Sequence, residues 1–326
     1  MMVSPRCHWR EGRYSLVTVA LLAGVGAAIA ECSLPQVVSI WGGYGSEPGQ
    51  FLGASDIARD SAGGIYVVDV VLHRVQKFDE NGNFLFGWGS YGQADGQFWG
   101  PTGVAVDHEG NVYVTDRGNM RVEKFDSSGR FLLKWGECCS GPGRFDFPAG
   151  VTVAGGHVFV VDEDGRMVQK FDREGNFVDG WSSPSFETPA GVAVDDNGNV
   201  FVVDTYAEQV TKFDSSGVEL ERWGSLGQGD GQFIAPHGIG VDGDGNVYVM
   251  DRINERVQVF DNNGGFKCKW GSNDPEAEIR LVAPTGIEFD GRGRIYLSDS
   301  SRGMTLQVPT SLSPASWGDV KKKYRE

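Results

Sequence analysis

The 326 residues include 48 glycines, with 11% aromatic and 40% hydrophobic residues, a combination of many turns and many rings that fits an all-β protein and excludes a helical bundle. A net charge of −15 sets the surface against phosphate backbones and anionic lipid headgroups. Nucleic acid and passive membrane binding are therefore not expected.

The chain opens with Arg6, Arg10 and Arg13, an uncharged run from Tyr14 to Ala30, and Ala28-Ile29-Ala30 before Glu31. That order reads as a secretory signal peptide over residues 1–30, and the apolar stretch from Leu16 is short for a membrane span. Cleavage after Ala30 predicts a secreted or periplasmic protein; an uncleaved N-terminal membrane anchor is the alternative. Glu31 stands where a lipid-anchored Cys32 would need a small residue. Losing three arginines and Glu11 takes the net charge from −15 to −17. Cys32, Cys138, Cys139 and Cys268 then remain, an even number whose connectivity the sequence leaves open. The adjacent Cys138-Cys139 pair has no CxxC spacing or nearby histidine, so both are read as loop or disulfide cysteines.

One pattern then recurs. Aspartates end the runs at Asp69, Asp116, Asp162, Asp204, Asp251 and Asp299, spaced 42 to 48 residues apart, and Trp41, Trp88, Trp135, Trp181, Trp223, Trp270 and Trp317 keep the same beat. Each unit reads as four short strands, P-x-G-x-x-V-D, N-V-Y-V-x-D, R-V-x-K-F-D and F-x-x-x-W-G, separated by D-x-x-G-N turns. Such a unit cannot bury both its faces alone, and a closed ring of copies protects every edge. The sequence therefore predicts a six-bladed β-propeller over residues 31–308, followed by a C-terminal tail over 309–326 whose Lys321, Lys322, Lys323 and Arg325 are solvated. Gln36–Trp41 is a lone fourth strand, predicted to complete the sixth blade and close the ring. The segment ending at Trp317 competes for that place.

Together, the GQF, P-x-G-x-x-V-D, G-N-V-Y-V-x-D, R-V-Q-K-F-D and W-G elements resemble NHL repeats over roughly residues 37–308, without the G-H and W-D signatures of WD40 units or the Y-W-T-D of receptor propellers. The resemblance implies a six-bladed ring with a tendency to bind partners, and no particular chemistry.

Blade topology puts the D-x-x-G turns on one face and the variable loops on the other, where binding is expected. Ligand-binding candidates are Asp56, His73, Arg117, Tyr206, His237 and Arg252. Asp56 replaces the glycine of the other blades, and Arg59 stands where they carry an apolar residue, which predicts a salt-bridged feature at ring closure. Pro236-His237-Gly238 resembles a motif of peptide-amidating lyases. The equivalent positions Ser55, Thr102, Ala149, Ala190 and Thr285 hold no second imidazole, and one imidazole does not make a three-ligand zinc site. Asp242-Gly243-Asp244-Gly245-Asn246 starts like a calcium loop but lacks its later glycine and glutamate. The six strand-end aspartates, with Arg74, Arg121 and Arg256 five residues after three of them, are read as architecture built from blade-level ion pairs. No catalytic residue, metal site or cofactor is assigned. The function expected is a monomeric exported scaffold that grips a protein, peptide or glycan. A metal-dependent lyase or a lactonase-like enzyme with its site in the central channel is the alternative.

Overall fold

The computed structural model describes residues 35–139, 141–272 and 280–307. The expected signal segment, Cys32, the tail and the competing segment ending at Trp317 lie outside the described residues. Among the described residues, no helix is long and apolar enough to cross a membrane.

Strand β1 (Gln36–Gly42) precedes five consecutive four-stranded blades. Blade one is β2 (Ala54–Arg59), β3 (Ile65–Asp69), β4 (Arg74–Phe78) and β5 (Phe84–Trp88), and blade two is β6 (Pro101–Val106), β7 (Val112–Asp116), β8 (Arg121–Phe125) and β9 (Phe131–Trp135). Blade three is β10 (Pro148–Ala154), β11 (His157–Asp162), β12 (Met167–Asp172) and β13 (Phe177–Trp181), and blade four is β14 (Pro189–Val194), β15 (Val200–Asp204), β16 (Gln209–Phe213) and β17 (Glu219–Trp223). Blade five is β18 (Pro236–Val241), β19 (Val247–Asp251), β20 (Arg256–Phe260) and β21 (Phe266–Gly271). The sixth is β22 (Pro284–Phe289), β23 (Arg294–Asp299) and β24 (Arg302–Gln307), completed from the other end of the chain by β1 in antiparallel register, Trp41 opposite Gly303. The ring is thus six-bladed and closed by the N-terminal strand, as its lone fourth-strand pattern predicts.

Each second strand is buried on both sides: Ile65–Asp69, Val112–Asp116 and Val247–Asp251 are buried at every residue. The reason is that each blade has a neighbour on both faces. Alternate residues of β3 divide accordingly, Ile65 and Val67 packing with Trp41 and Tyr296 of the sixth blade, Tyr66 and Val68 with Val104 and Val112 of the second. The core is therefore a set of six apolar layers between blades.

The tryptophan beat follows from the same contact. The rings of Trp41, Trp88, Trp135, Trp181 and Trp223 each lie on a phenylalanine of the next blade, with centroid separations of 4.7 Å for Trp41–Phe78, 5.5 Å for Trp88–Phe125 and 5.9 Å for Trp223–Phe260. The glycine of the next blade's turn leaves room for it: a Cβ on Gly129 would sit 2.9 Å from Trp88.

The D-x-x-G turns are closed by their own aspartates. Asp79 Oδ1 accepts from the Asn81 and Asn83 amides while Oδ2 accepts from Asn83 Nδ2 at 2.8 Å, and the same pair of amide bonds closes an Asx turn at Asp107, Asp126, Asp172, Asp195, Asp214 and Asp261. In the calcium-like segment the Asp242 carboxylate is filled the same way, by the Asp244 and Asn246 amides, Asn246 Nδ2 and the Tyr248 hydroxyl at 3.0 Å.

Candidate functional site in the central channel and on the loop face

The inner strands β2, β6, β10, β14, β18 and β22 stand side by side around the axis, each slipping register with its partner strand just after its first residue. The irregularity interrupts each ladder near the rim of the channel. Hydroxyls lace the rim: Ser55 donates to the Thr102 carbonyl at 2.8 Å, Thr205 to that of Pro236 at 2.8 Å, and Thr285 to that of Ala54 at 3.0 Å across the seam.

At the third position of five inner strands stands a glycine because the neighbouring strand passes too close for a side chain. A Cβ on Gly103 would lie 2.6 Å from the Ala149 carbonyl, and one on Gly191 2.5 Å from that of His237. In blade one this position is Asp56, whose carboxylate accepts from its own Ile57 amide at 2.9 Å and from the Val104 amide of the next blade at 3.0 Å. Burial pushes the Asp56 carboxyl up to about 7, with the charge of Glu288 adding to the rise and the two amides opposing it.

The strands enclose a channel cavity of about 510 Å³, within the size range of small-molecule sites. Asp56, Arg117, Tyr206 and His237 line it; His73 and Arg252 do not. The candidates therefore divide between the channel and the loop face around its mouth.

His237 is half-buried, and burial together with the charge of Arg252 lowers its imidazole to about 4, so it is neutral at physiological pH. Arg117 at the mouth is held by Glu163 of the next blade at 3.0 Å and lies 4.5 Å over the Phe147 ring. Tyr206 projects freely, 73% exposed. The His73 backbone is left-handed at φ 55°, its Nδ1 accepts from the Gly100 amide at 3.0 Å and its ring meets Tyr91. That residue joins one blade to the entry of the next.

The closure pair expected of Asp56 and Arg59 is replaced by a different arrangement. Asp56 is satisfied by backbone amides, while the charge of Arg59 acts on Glu288, which also lines the channel and whose carboxyl burial pushes up to about 7. Glu288 occupies the fifth position of β22, where the other inner strands hold Ala58, Ala105, Thr152, Ala193 and Gly240. That departure from the repeat is the signal by which it was findable. Among the described residues, no three of His, Cys, Asp and Glu are grouped as metal ligands.

The strand-end aspartates organise loops. Asp69 accepts from the Leu52, Val71 and Leu72 amides, and buried ion pairs join Arg121 to Asp116 at 3.0 Å and Arg256 to Asp251 at 2.7 Å. Arg74 shares with Arg121 and Arg256 the Nη2 bonds to two carbonyls of the preceding loop, here Glu47 and Gln50, but its Nε makes no bond to Asp69.

Exposed large apolar side chains divide unevenly between the two faces. Tyr44, Tyr91, Trp99, Tyr206, Leu226 and Ile253 all stand on loops of the variable face. Among the described turns of the opposite face, Val218 is the single large apolar residue exposed.

A family model for the NHL repeat matches residues 98–125 and 186–213. No curated protein matches the sequence. Solved structures similar to this chain include a streptogramin B lyase, 14% identical over 82% of this chain and 96% of that one with a TM-score of 0.61. A gluconolactonase from Xanthomonas campestris is 17% identical over 87% and 99%, with a TM-score of 0.61. A Bacteroides thetaiotaomicron protein of unknown function is 18% identical over 86% and 75%, with a TM-score of 0.61. At these identities the likeness is one of fold.

Proposed function

Because this chain is an NHL-repeat β-propeller, we propose that it is an exported binding scaffold that grips a protein, peptide or glycan through its loop face. The observation that carries this reading is that, of the two loop faces, the variable one holds nearly all the exposed rings and aliphatic side chains, on an acidic molecule whose other exposed apolar groups lie along the outer strands. Exposed apolar groups rimmed by polar ones are what a partner desolvates. Tyrosine and tryptophan supply large contact area at small entropic cost. The test is capture from the exported fraction by wild type, by Tyr206→Ala/Ile253→Asp on the loop face, and by Val218→Asp on the opposite face. The reading requires the double variant to lose the partner and Val218→Asp to keep it; equal capture by all three refutes it.

A second reading, a lyase or lactonase-like enzyme working in the channel, is favoured by one observation. Asp56 and Glu288 both line the cavity with carboxyls near 7, where one group gives a proton and another takes one at neutral pH. A panel of lactone and cyclic-ester substrates tests it: turnover by wild type that disappears in both Asp56→Asn and Glu288→Gln supports it, and turnover unaltered by either refutes it.

A further inference from the structure

The loop from 136 to 147, joining blade two to blade three, departs from its counterparts at two adjacent residues. Isolated bridges fix the alignment: Cys138 pairs with Phe145 as Tyr44 does with Phe51, Tyr91 with Phe98 and Leu226 with Phe233. Cys138 therefore stands where the other blades show an exposed ring or leucine, and Cys139 where they have Gly45, Gly92 and Gly227. Those glycines sit at φ between 153° and 159°, whereas Cys139 is at 83°. A residue with a side chain rarely adopts that conformation. Nothing in packing compensates it, since both cysteines are exposed.

The two Sγ atoms face each other at 2.7 Å. Both are free thiols in this structure, while elsewhere in the chain Cys268 is disulfide-bonded. We propose that Cys138 and Cys139 form a reversible vicinal disulfide, a covalent redox site on the partner-facing loops.

The oxidant is a disulfide, either oxidised glutathione or an oxidoreductase. One cysteine thiolate attacks a sulfur of that disulfide, releasing its first thiol and leaving a mixed disulfide; the second cysteine thiolate displaces the remaining thiol and closes the Cys138–Cys139 bond. Two electrons pass to the oxidant, which leaves as two thiols carrying the two protons that the cysteines lose. Adjacent Cα atoms are about 3.8 Å apart, below the roughly 4.4–6.8 Å that disulfides ordinarily span. A strained, exposed bond is more readily reduced than a structural one. The Cys268 disulfide is the internal reference.

The tryptic peptide Trp135–Arg144 contains both cysteines and no others. The full chain is equilibrated with graded mixtures of oxidised and reduced glutathione, alkylated and digested. The proposal expects this peptide to be two hydrogens lighter than the dithiol and free of alkyl groups under oxidising mixtures. It expects two alkyl groups to appear at a milder ratio than opens the Cys268 peptide. Cys139→Gly, which restores the residue of the other blades, is expected to fold and to hold glutathione on Cys138. Two alkyl groups on wild type in the oxidising mixture, glutathione retained on wild type, a crosslink to a second chain, or opening only together with Cys268 would each overturn it.

Discussion

Truncating Trp41 to alanine tests the closure of the ring. Trp41 belongs to β1, which reaches the sixth blade from the other end of the chain, and its indole is 7% exposed between Gly303 of that blade and Phe78 and Gly82 of the first. Its counterparts Trp88, Trp135, Trp181 and Trp223 are only half-buried. A fully buried tryptophan replaced by alanine costs about 3–5 kcal/mol, because apolar area is lost and the cavity does not close. With total stabilities of about 5–15 kcal/mol, this is about a fifth or more of the whole. Trp41→Ala is therefore expected to lower the urea midpoint far more than Trp181→Ala, with both followed by circular dichroism at constant slope. A loss under about 1 kcal/mol for Trp41→Ala, or equal losses for the two, would mean that β1 is a loosely docked arm and that the ring is held by something else.

Gly191→Ala places a Cβ 2.5 Å from the His237 carbonyl and is expected to cost about 2 kcal/mol or more by overpacking against backbone. Gly243→Ala, with nothing within 4 Å, serves as the control in the same melts and is expected to change stability by less than about 0.5 kcal/mol. Arg256→Ala leaves the fully buried Asp251 without its paired cation, held by the Ile234 amide, Asn254 and Gln258, and is expected to cost about 3 kcal/mol. Arg130→Ala breaks an exposed pair with Asp126, where a loss of at most about 1 kcal/mol is expected by the same denaturation. Glu288 ionises at about 4.5 when unfolded and about 7 when folded, so the folded chain holds the extra proton and this group's contribution falls as pH rises between those values. His237, lowered to about 4, acts in the opposite sense below about 6.5. The comparison is therefore wild type minus Glu288→Gln: that difference in urea midpoint should decline from pH 4.5 to 7 and stay flat above, and a pH-independent difference would refute the burial of this carboxyl.

The repeat was readable because its markers are demands of the backbone. Asp79 must close a turn, Gly129 must admit Trp88, and Asp116 must receive loop amides, so the same letters return in each blade. The closure by β1 was readable for the same reason, as a fourth strand without its first three. What the pattern hides are pairings that cross blades. Glu288 acts on Asp56 from the opposite end of the sequence only because the ring brings β22 beside β2. His73 looks like a free rim imidazole until the fold places the Gly100 amide on its Nδ1. Arg74 has the spacing of Arg121 and Arg256 and shares their bonds to the carbonyls of the preceding loop, yet the Nε bond to the strand-end aspartate that those two make is not formed by Arg74. Spacing alone does not reveal that difference.

The binding role of the loop face is tested most directly by hydroxyl-radical footprinting of the chain alone and in complex with its captured partner. The account predicts protection at Tyr206, Ile253 and Tyr91, with the turns at 195–199 and 214–218 unchanged. Protection confined to those turns, with the three loop residues as reactive as in the free chain, would contradict it.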